Sequence, residues 1–136
     1  MWINDLGMSD YKPELGSLGV GVPEFTMSHT DATDLVQGWR QLLARCHNSG
    51  IRVLAGTTIP FKGAFYWSPE KDRQRRLLNE WIRTSGEPDG FVDFDAALRD
   101  PEDDAQMAES YHVGDFLHPS ASGSQAMAES IDLDMC

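Results

Sequence analysis

Residues 51–57, Ile51-Arg52-Val53-Leu54-Ala55-Gly56-Thr57, give the clearest indication of the fold class. This stretch is short, rich in apolar residues and apolar on both faces except at Arg52. A strand of this kind is buried on both faces, which is typical of parallel sheets. Parallel neighbours must be joined by crossover connections, and these are usually helices. We therefore expect a helix on each side of this strand.

A helix is predicted on the N-terminal side. In residues 31–48 the apolar side chains recur at helical spacing and form one stripe. Asp31 can cap the first turn, and Gly50 is placed to end the helix in a left-handed conformation. Cys46 lies on the apolar stripe and is expected to be part of the core.

A second helix is predicted on the C-terminal side, after an aromatic loop. Ser68-Pro69-Glu70 supplies a capping hydroxyl, a proline at the first helical position and an acid in the first turn. The helix is expected to run to about residue 84. Its inward-facing residues are predicted to be Leu77, Leu78, Trp81 and Ile82.

The remaining elements complete an alternating pattern. Residues 91–94 predict another short strand, and residues 121–133 predict a final helix that buries Met127 and Ile131. Trp2 and Ile3 are interpreted as the last residues of a strand. The alternation of strands and helices predicts an α/β fold with a parallel sheet, in a single domain over residues 1–136.

The composition excludes several classes of function. The chain has 136 residues, with 22 acidic against 11 basic side chains, so its formal net charge is −11. Such a charge repels nucleic acid and anionic membrane surfaces. No apolar run approaches the roughly 20 residues of a membrane span. Two cysteines, 90 positions apart at 46 and 136, have neither zinc-finger spacing nor a disulfide framework.

One pair of residues could carry chemistry. Asp115 and His118 are three positions apart, just before the final predicted helix. In a turn, this spacing lets the carboxylate hold the imidazole Nδ1–H, which leaves Nε2 available as a base. The spacing is equally compatible with a surface ion pair near a helix start, so the pair alone does not decide the function.

A wider set of motifs resembles a known family. Asn4-Asp5 after a strand, and Asp115-x-x-His118-Pro119 before the last helix, resemble the third and fifth sequence blocks of the SGNH (GDSL-type) hydrolases. The segments 38–42, 50–53, 58–61, 79–83 and 92–95 also resemble bacterial esterases of that family. The resemblance covers nearly all of the chain but only about the second half of a family domain. It implies a partial flavodoxin-like, three-layer fold with a parallel sheet, lacking the N-terminal strands.

The resemblance also implies roles for individual residues. By position, Asp115 would orient His118, His118 would be the general base, and Asn4 would donate to the oxyanion. The implied activity is hydrolysis of small carboxylic esters through a serine acyl-enzyme, without a metal or an organic cofactor. The implied partner is therefore a small ester substrate.

The chain departs from the family at the nucleophile. The blocks that carry the family's serine and its oxyanion glycine are not present, and Trp2 stands where the third block usually begins with glycine. Ser9, Ser17 and Ser28 are loop serines, and nothing in the sequence places them beside His118. Capping of turns or exposure to water explains them more simply. The nucleophile is left unassigned.

These departures leave an alternative function open. A chain without the first strands would expose a strand edge and apolar helix faces, and residues 51–57 would become an edge strand. The alternative is therefore a catalytically silent, truncated fragment that self-associates. In either case a homo-oligomer or strand exchange is expected, and a loop serine of one copy could meet His118 of another.

Other candidates have simpler explanations. The aromatic residues of the loop after Thr57 could line an acyl pocket or pack internally, and Phe61 and Trp67 are the candidates for substrate contact. The acidic run over residues 93–104 is predicted to be a solvated loop, because it lacks calcium-loop spacing. His29 and His112 are interpreted as loop or capping residues, because no second ligand cluster accompanies them. No metal site is predicted.

Overall fold

The computed structural model of the chain describes residues 30–135. The predictions made for Trp2, Ile3, Asn4, His29 and the serines at 9, 17 and 28 lie outside the described residues.

The first described helix, α1, spans Ala32–Asn48. Asp31 accepts a hydrogen bond from the Asp34 backbone N–H at 3.0 Å, and the Asp34 side chain accepts one from the Asp31 N–H at 3.2 Å. This reciprocal capping satisfies two N–H groups that the helix start would otherwise leave unpaired. Gly50 has φ +72° just after the helix, so both predicted ends are confirmed.

The sheet consists of β1 (Leu54–Gly56) and β2 (Gly90–Val92), which pair in parallel with Ala55 opposite Phe91. The strand predicted over residues 51–57 is thus shorter in the structure. Ile51 donates its N–H to Cys46 O at 2.9 Å, so its backbone closes the end of α1 and does not pair with a strand. The predicted strand at 91–94 ends at Val92 because Asp93 caps the following helix.

Helix α2 spans Pro69–Thr84, with Ser68 accepting from the Lys71 N–H at 3.3 Å as predicted. Leu78 and Ile82 are buried and Trp81 is partly buried, but Leu77 is 47% exposed. The prediction for Leu77 was wrong because the apolar stripe of α2 is narrower than the run of apolar residues suggests.

The main core lies between α1, α2 and β1. Its buried members are Ala32, Leu35, Trp39, Leu43, Ala55, Leu78 and Ile82. Trp39 and Trp81 face each other across the two helices with ring centroids 6.4 Å apart. Cys46 is partly buried at the end of the α1 stripe, so its assignment to the core holds only in part. Burial of this apolar surface stabilises the α/β packing.

The acidic segment, residues 93–104, is a solvated loop only in its second half, so the prediction was wrong for its first half. It contains helix α3 (Phe94–Leu98), and its Arg99 forms an antiparallel bridge with Met107, which follows the segment. Its carboxylates pair with cations from other parts of the chain, including Asp95 with the buried Arg75. The error arose because these partners are distant in sequence, where pattern analysis does not see them.

The last helix, α4, spans Ala121–Glu129, and a short 3-10 helix follows at Leu133–Met135. The predicted end at residue 133 was too late, since Ser130 ends the helix. Ile131 therefore lies outside it and is 37% exposed, while Met127 is only partly buried. Among residues 30–135, no helix is long and apolar enough to cross a membrane.

Candidate active site

Two loops meet beside the carboxyl end of the sheet. The first, residues 58–67, follows the end of β1, and the second, residues 112–119, precedes α4. Gly63 in the first loop has φ +102°, and a Cβ there would lie 2.6 Å from Phe116 Cγ in the second. The Phe116 ring therefore lies directly on the Gly63 backbone. This contact places the second loop at the sheet edge where open α/β folds carry their sites.

Asp115 and His118 are in direct contact within the second loop. His118 Nδ1 lies 2.6 Å from Asp115 Oδ2. The other carboxylate oxygen, Oδ1, accepts the backbone N–H groups of Leu117 and His118, both at 2.9 Å. One carboxylate thus shapes the turn and binds the imidazole at the same time.

The electrostatics of the pair favour a charged carboxylate. The hydrogen bond from His118, followed by the backbone N–H groups of His118 and Leu117, holds the pKa of Asp115 well below its usual range. An ionised Asp115 accepts the proton on Nδ1, which leaves Nε2 as the nitrogen able to take a proton. The His118 side chain is 69% exposed and is therefore accessible to an incoming group.

A second His–Asp pair shows why proximity alone does not define a site. His47 Nε2 lies 2.8 Å from Asp89 Oδ2. That same oxygen accepts the Val53 N–H at 2.7 Å, directly before β1, so this pair lies at the amino end of the sheet. Sites of parallel α/β folds lie at the opposite edge. The His47–Asp89 pair is therefore best explained as a structural link between α1 and the strand starts.

The aromatic residues of the first loop form a second apolar cluster. Phe61 has no exposed surface and packs with Ala64, Tyr66 and Leu117, while Trp67 is partly buried against them. This burial favours packing for Phe61, and substrate contact by Phe61 or Trp67 stays a prediction. Burial, and then the negative charge of Asp115, raise the pKa of Tyr66 to about 12, which keeps the phenol neutral.

The supports of the Asp115–His118 turn were not found from the sequence. Phe116 adopts φ +58°, which is unusual for a residue other than glycine, and its ring contacts both Gly63 and His112. Gly63 and Gly114 carried a weak signal, since glycine is common at positive φ. Within residues 30–135, no group of three or more His, Cys, Asp or Glu side chains is arranged to hold a metal ion.

A parallel α/β fold with an exposed Asp–His pair beside the carboxyl ends of its strands is an arrangement used by hydrolytic enzymes. Residues 3–126 match the model of the GDSL-like lipase/acylhydrolase family, and the chain belongs to this family. The resemblance seen in the sequence is thereby confirmed.

A solved structure has the same fold. It is a crystal structure of a protein from Bacteroides fragilis, provisionally described as an acylhydrolase, and it superposes with a TM-score of 0.66 at 16% sequence identity. The alignment covers 97% of this chain and 56% of the other, so the chain spans little more than half the length of that protein. A search of curated proteins finds no significant match. At this identity the likeness shows the fold, and it confirms the predicted α/β class with a parallel sheet.

Proposed function

We propose that the chain is a carboxylic ester hydrolase that acts on small esters through a serine acyl-enzyme. His118 is the general base, Asp115 orients it, and Asn4 donates to the oxyanion. The observation that carries this proposal is the 2.6 Å contact between His118 Nδ1 and Asp115 Oδ2 on an exposed loop. Membership of the family supports the hydrolase class.

The proposed chemistry moves one proton in each half-reaction. His118 Nε2 takes the serine hydroxyl proton as the oxygen attacks the ester carbonyl, and it returns the proton to the departing alcohol. In the second half-reaction His118 Nε2 takes a proton from the attacking water and returns it to the departing serine oxygen, which releases the acid and restores the free serine. Asp115 remains ionised and stabilises the imidazolium formed in each step. These steps use only side chains and water, so the proposal includes no cofactor.

The other members of the proposed site have less support. Asn4 is assigned by its match to the family motif, and an amide N–H is a suitable oxyanion donor. Trp67, which is partly buried against the cluster that contains Phe61, is proposed to contact the acyl chain together with Phe61. The nucleophile remains unassigned, with Ser9, Ser17 and Ser28 as the loop serines to examine.

The test is reaction with a serine-directed phosphonate, followed by intact-mass spectrometry and peptide mapping. We expect one stoichiometric adduct in the wild-type chain and its loss in His118→Ala. The matched control is His47→Ala, which removes the other His–Asp pair and should leave the adduct unchanged. No adduct on the folded wild-type chain, or equal loss in both variants, would contradict the proposal.

The alternative is a catalytically silent chain that self-associates. It is favoured by the exposure of Ile51 (56%), which lies just before β1, and of Phe91 (37%), which lies within β2. Under this alternative, residues 1–136 form one domain that is stable as a homo-oligomer. Sedimentation of the phosphonate-treated samples distinguishes the outcomes, because an oligomer without an adduct supports the alternative and a labelled monomer excludes it.

A further inference from the structure

His112 is a buried polar residue that the proposed mechanism does not use. It is 9% exposed, and its ring stacks on Phe116 with centroids 4.3 Å apart and an interplanar angle of 32°. Its Nδ1 lies 3.0 Å from the Gly114 backbone N–H, which can only donate. Nδ1 is therefore the unprotonated acceptor, and the proton of the neutral ring is on Nε2.

An aromatic ring alone does not explain this histidine. Nε2 is buried and has no hydrogen-bond partner among residues 30–135. Burying an N–H group without a partner is unfavourable, and phenylalanine would fill the same space without that penalty. What histidine supplies in addition to its ring is the acceptor at Nδ1. The function of His112 should therefore lie in its hydrogen bond to Gly114.

That hydrogen bond lies inside the turn that holds Asp115 and His118. The turn is closed at its base by an antiparallel bridge between His112 and Pro119, with the Val113 N–H donating to His118 O at 3.0 Å. On either side of Asp115, Gly114 (φ +102°) and Phe116 (φ +58°) adopt left-handed backbone conformations. A conformation of this kind at Phe116 persists only where surrounding contacts hold it.

We propose that His112 is a positioning residue for the Asp115–His118 pair. Its Nδ1 accepts a hydrogen bond from the Gly114 N–H, and its ring packs on Phe116. Both neighbours of Asp115 are thereby fixed, which directs the Asp115 carboxylate toward His118 Nδ1. The consequence for catalysis rests on the proposed ester hydrolase function, whereas the consequence for the geometry of the pair does not.

Two substitutions separate the acceptor from the ring. His112→Phe keeps an aromatic ring against Phe116 and removes the acceptor. His112→Asn loses the ring but can present Oδ1 close to the place of Nδ1. Rescue by His112→Asn, relative to His112→Phe, would therefore identify the hydrogen bond as the element that positions the pair.

The direct readout is the tautomer of His118, measured at pH 8 from the ¹⁵N shifts of its ring nitrogens through the carbon-bound ring protons. We expect a proton fixed on Nδ1 in the wild type, a mixture of tautomers in His112→Phe, and a return toward the wild-type shifts in His112→Asn. Unchanged His118 shifts in His112→Phe, or a larger change in His112→Asn than in His112→Phe, would overturn the proposal.

Two further measurements guard against misfolding and against failure of the proposed function. Amide exchange of Gly114 in the wild type needs no variant, and an unprotected Gly114 amide would itself overturn the proposal. The phosphonate-labelling rate should fall about 10- to 100-fold in His112→Phe, by analogy with residues that hold metal ligands in place without contacting the substrate. If the wild type is not labelled, the ester hydrolase function fails while the tautomer measurement still decides the role of His112.

Discussion

At the scale of single residues, the two oxygens of Asp115 have different tasks. Oδ1 accepts the backbone N–H groups of Leu117 and His118 and thereby shapes the turn. Oδ2 faces His118 Nδ1 and sets which ring nitrogen carries the proton. A substitution that keeps Oδ1 and replaces only Oδ2 can therefore separate folding of the turn from activation of the base.

Asp115→Asn is that substitution. The amide oxygen can still accept the two backbone N–H groups, but an NH₂ group then faces Nδ1 and favours the tautomer with the proton on Nε2. We expect the phosphonate-labelling rate to fall by roughly 10³- to 10⁴-fold, with thermal stability close to that of the wild type. Asp89→Asn in the other His–Asp pair is the control, and equal losses in the two variants would show that the effect is not specific to the site.

The sequence predicted the Asp115–His118 contact because both residues belong to one short turn. It did not predict the contact between Gly63 and Phe116, since about fifty positions separate them and neither has an unusual neighbourhood in the sequence. The His47–Asp89 pair was missed for the same reason, as its members are 42 positions apart. Local chemistry was predictable here, and contacts set by tertiary packing were not.

At the scale of elements, helix α2 also combines features that were predictable from nearby residues with features that depend on tertiary contacts. Its capping residue and its first proline identified the start correctly, because helix starts have local chemical requirements. Its interior contains Arg75, which is 1% exposed and bonded to Asp72 at 2.8 Å and also to Asp95. An arginine amid other charges in a helix is normally solvent-facing, so no local pattern indicated its burial.

We expect Arg75→Met to destabilise the fold strongly. Loss of the guanidinium leaves the carboxylates of Asp72 and Asp95 buried with fewer cationic partners, which costs about 3–5 kcal/mol in comparable buried pairs. Arg73→Met is the matched control on the same helix. Arg73 pairs with Glu70 at the surface, where an ion pair adds little to stability, so this substitution should change the free energy of unfolding far less than Arg75→Met does.

Urea unfolding of the two variants measures this difference directly. Similar free energies of unfolding for Arg75→Met and Arg73→Met would show that the buried arginine adds no net stability. Desolvation of the buried charges opposes their mutual attraction. The comparison therefore decides which of the two contributions is larger in α2.

At the scale of the whole molecule, many carboxylates pair with a small number of Arg and Lys side chains. The carboxylates of residues 93–104 contact Arg75, Arg76, Arg83, Arg99 and Lys62. These contacts join α2, α3 and the loop after β1 into one network. The chain has a net charge of −11, yet many of its carboxylates lie next to a positive side chain.

This network predicts a loss of stability in acid. Hydrogen bonds from Arg76 lower the pKa of Asp104 to about 2. Burial raises the pKa of Asp93, but hydrogen bonds from Arg83 and the Ala96 N–H outweigh it, so the net pKa is also lowered. In the unfolded chain these carboxyls titrate near 3.9, so the unfolded state binds protons more readily as the pH falls. The contribution is complete above about pH 5 and disappears as the pH approaches 2.

Urea unfolding at pH 7, 5, 4 and 3 tests this expectation, with Asp104→Asn as the comparison. The variant has lost the titrating carboxylate, so it should be less stable than the wild type at pH 7, and the difference should shrink steadily below pH 4. Asp134→Asn, near the C-terminus and outside the network, should run parallel to the wild type over the whole range. A constant gap between wild type and Asp104→Asn would mean that the Arg76–Asp104 contact does not hold the carboxylate in its ionised form, and acid lability would then have to arise from other carboxylates.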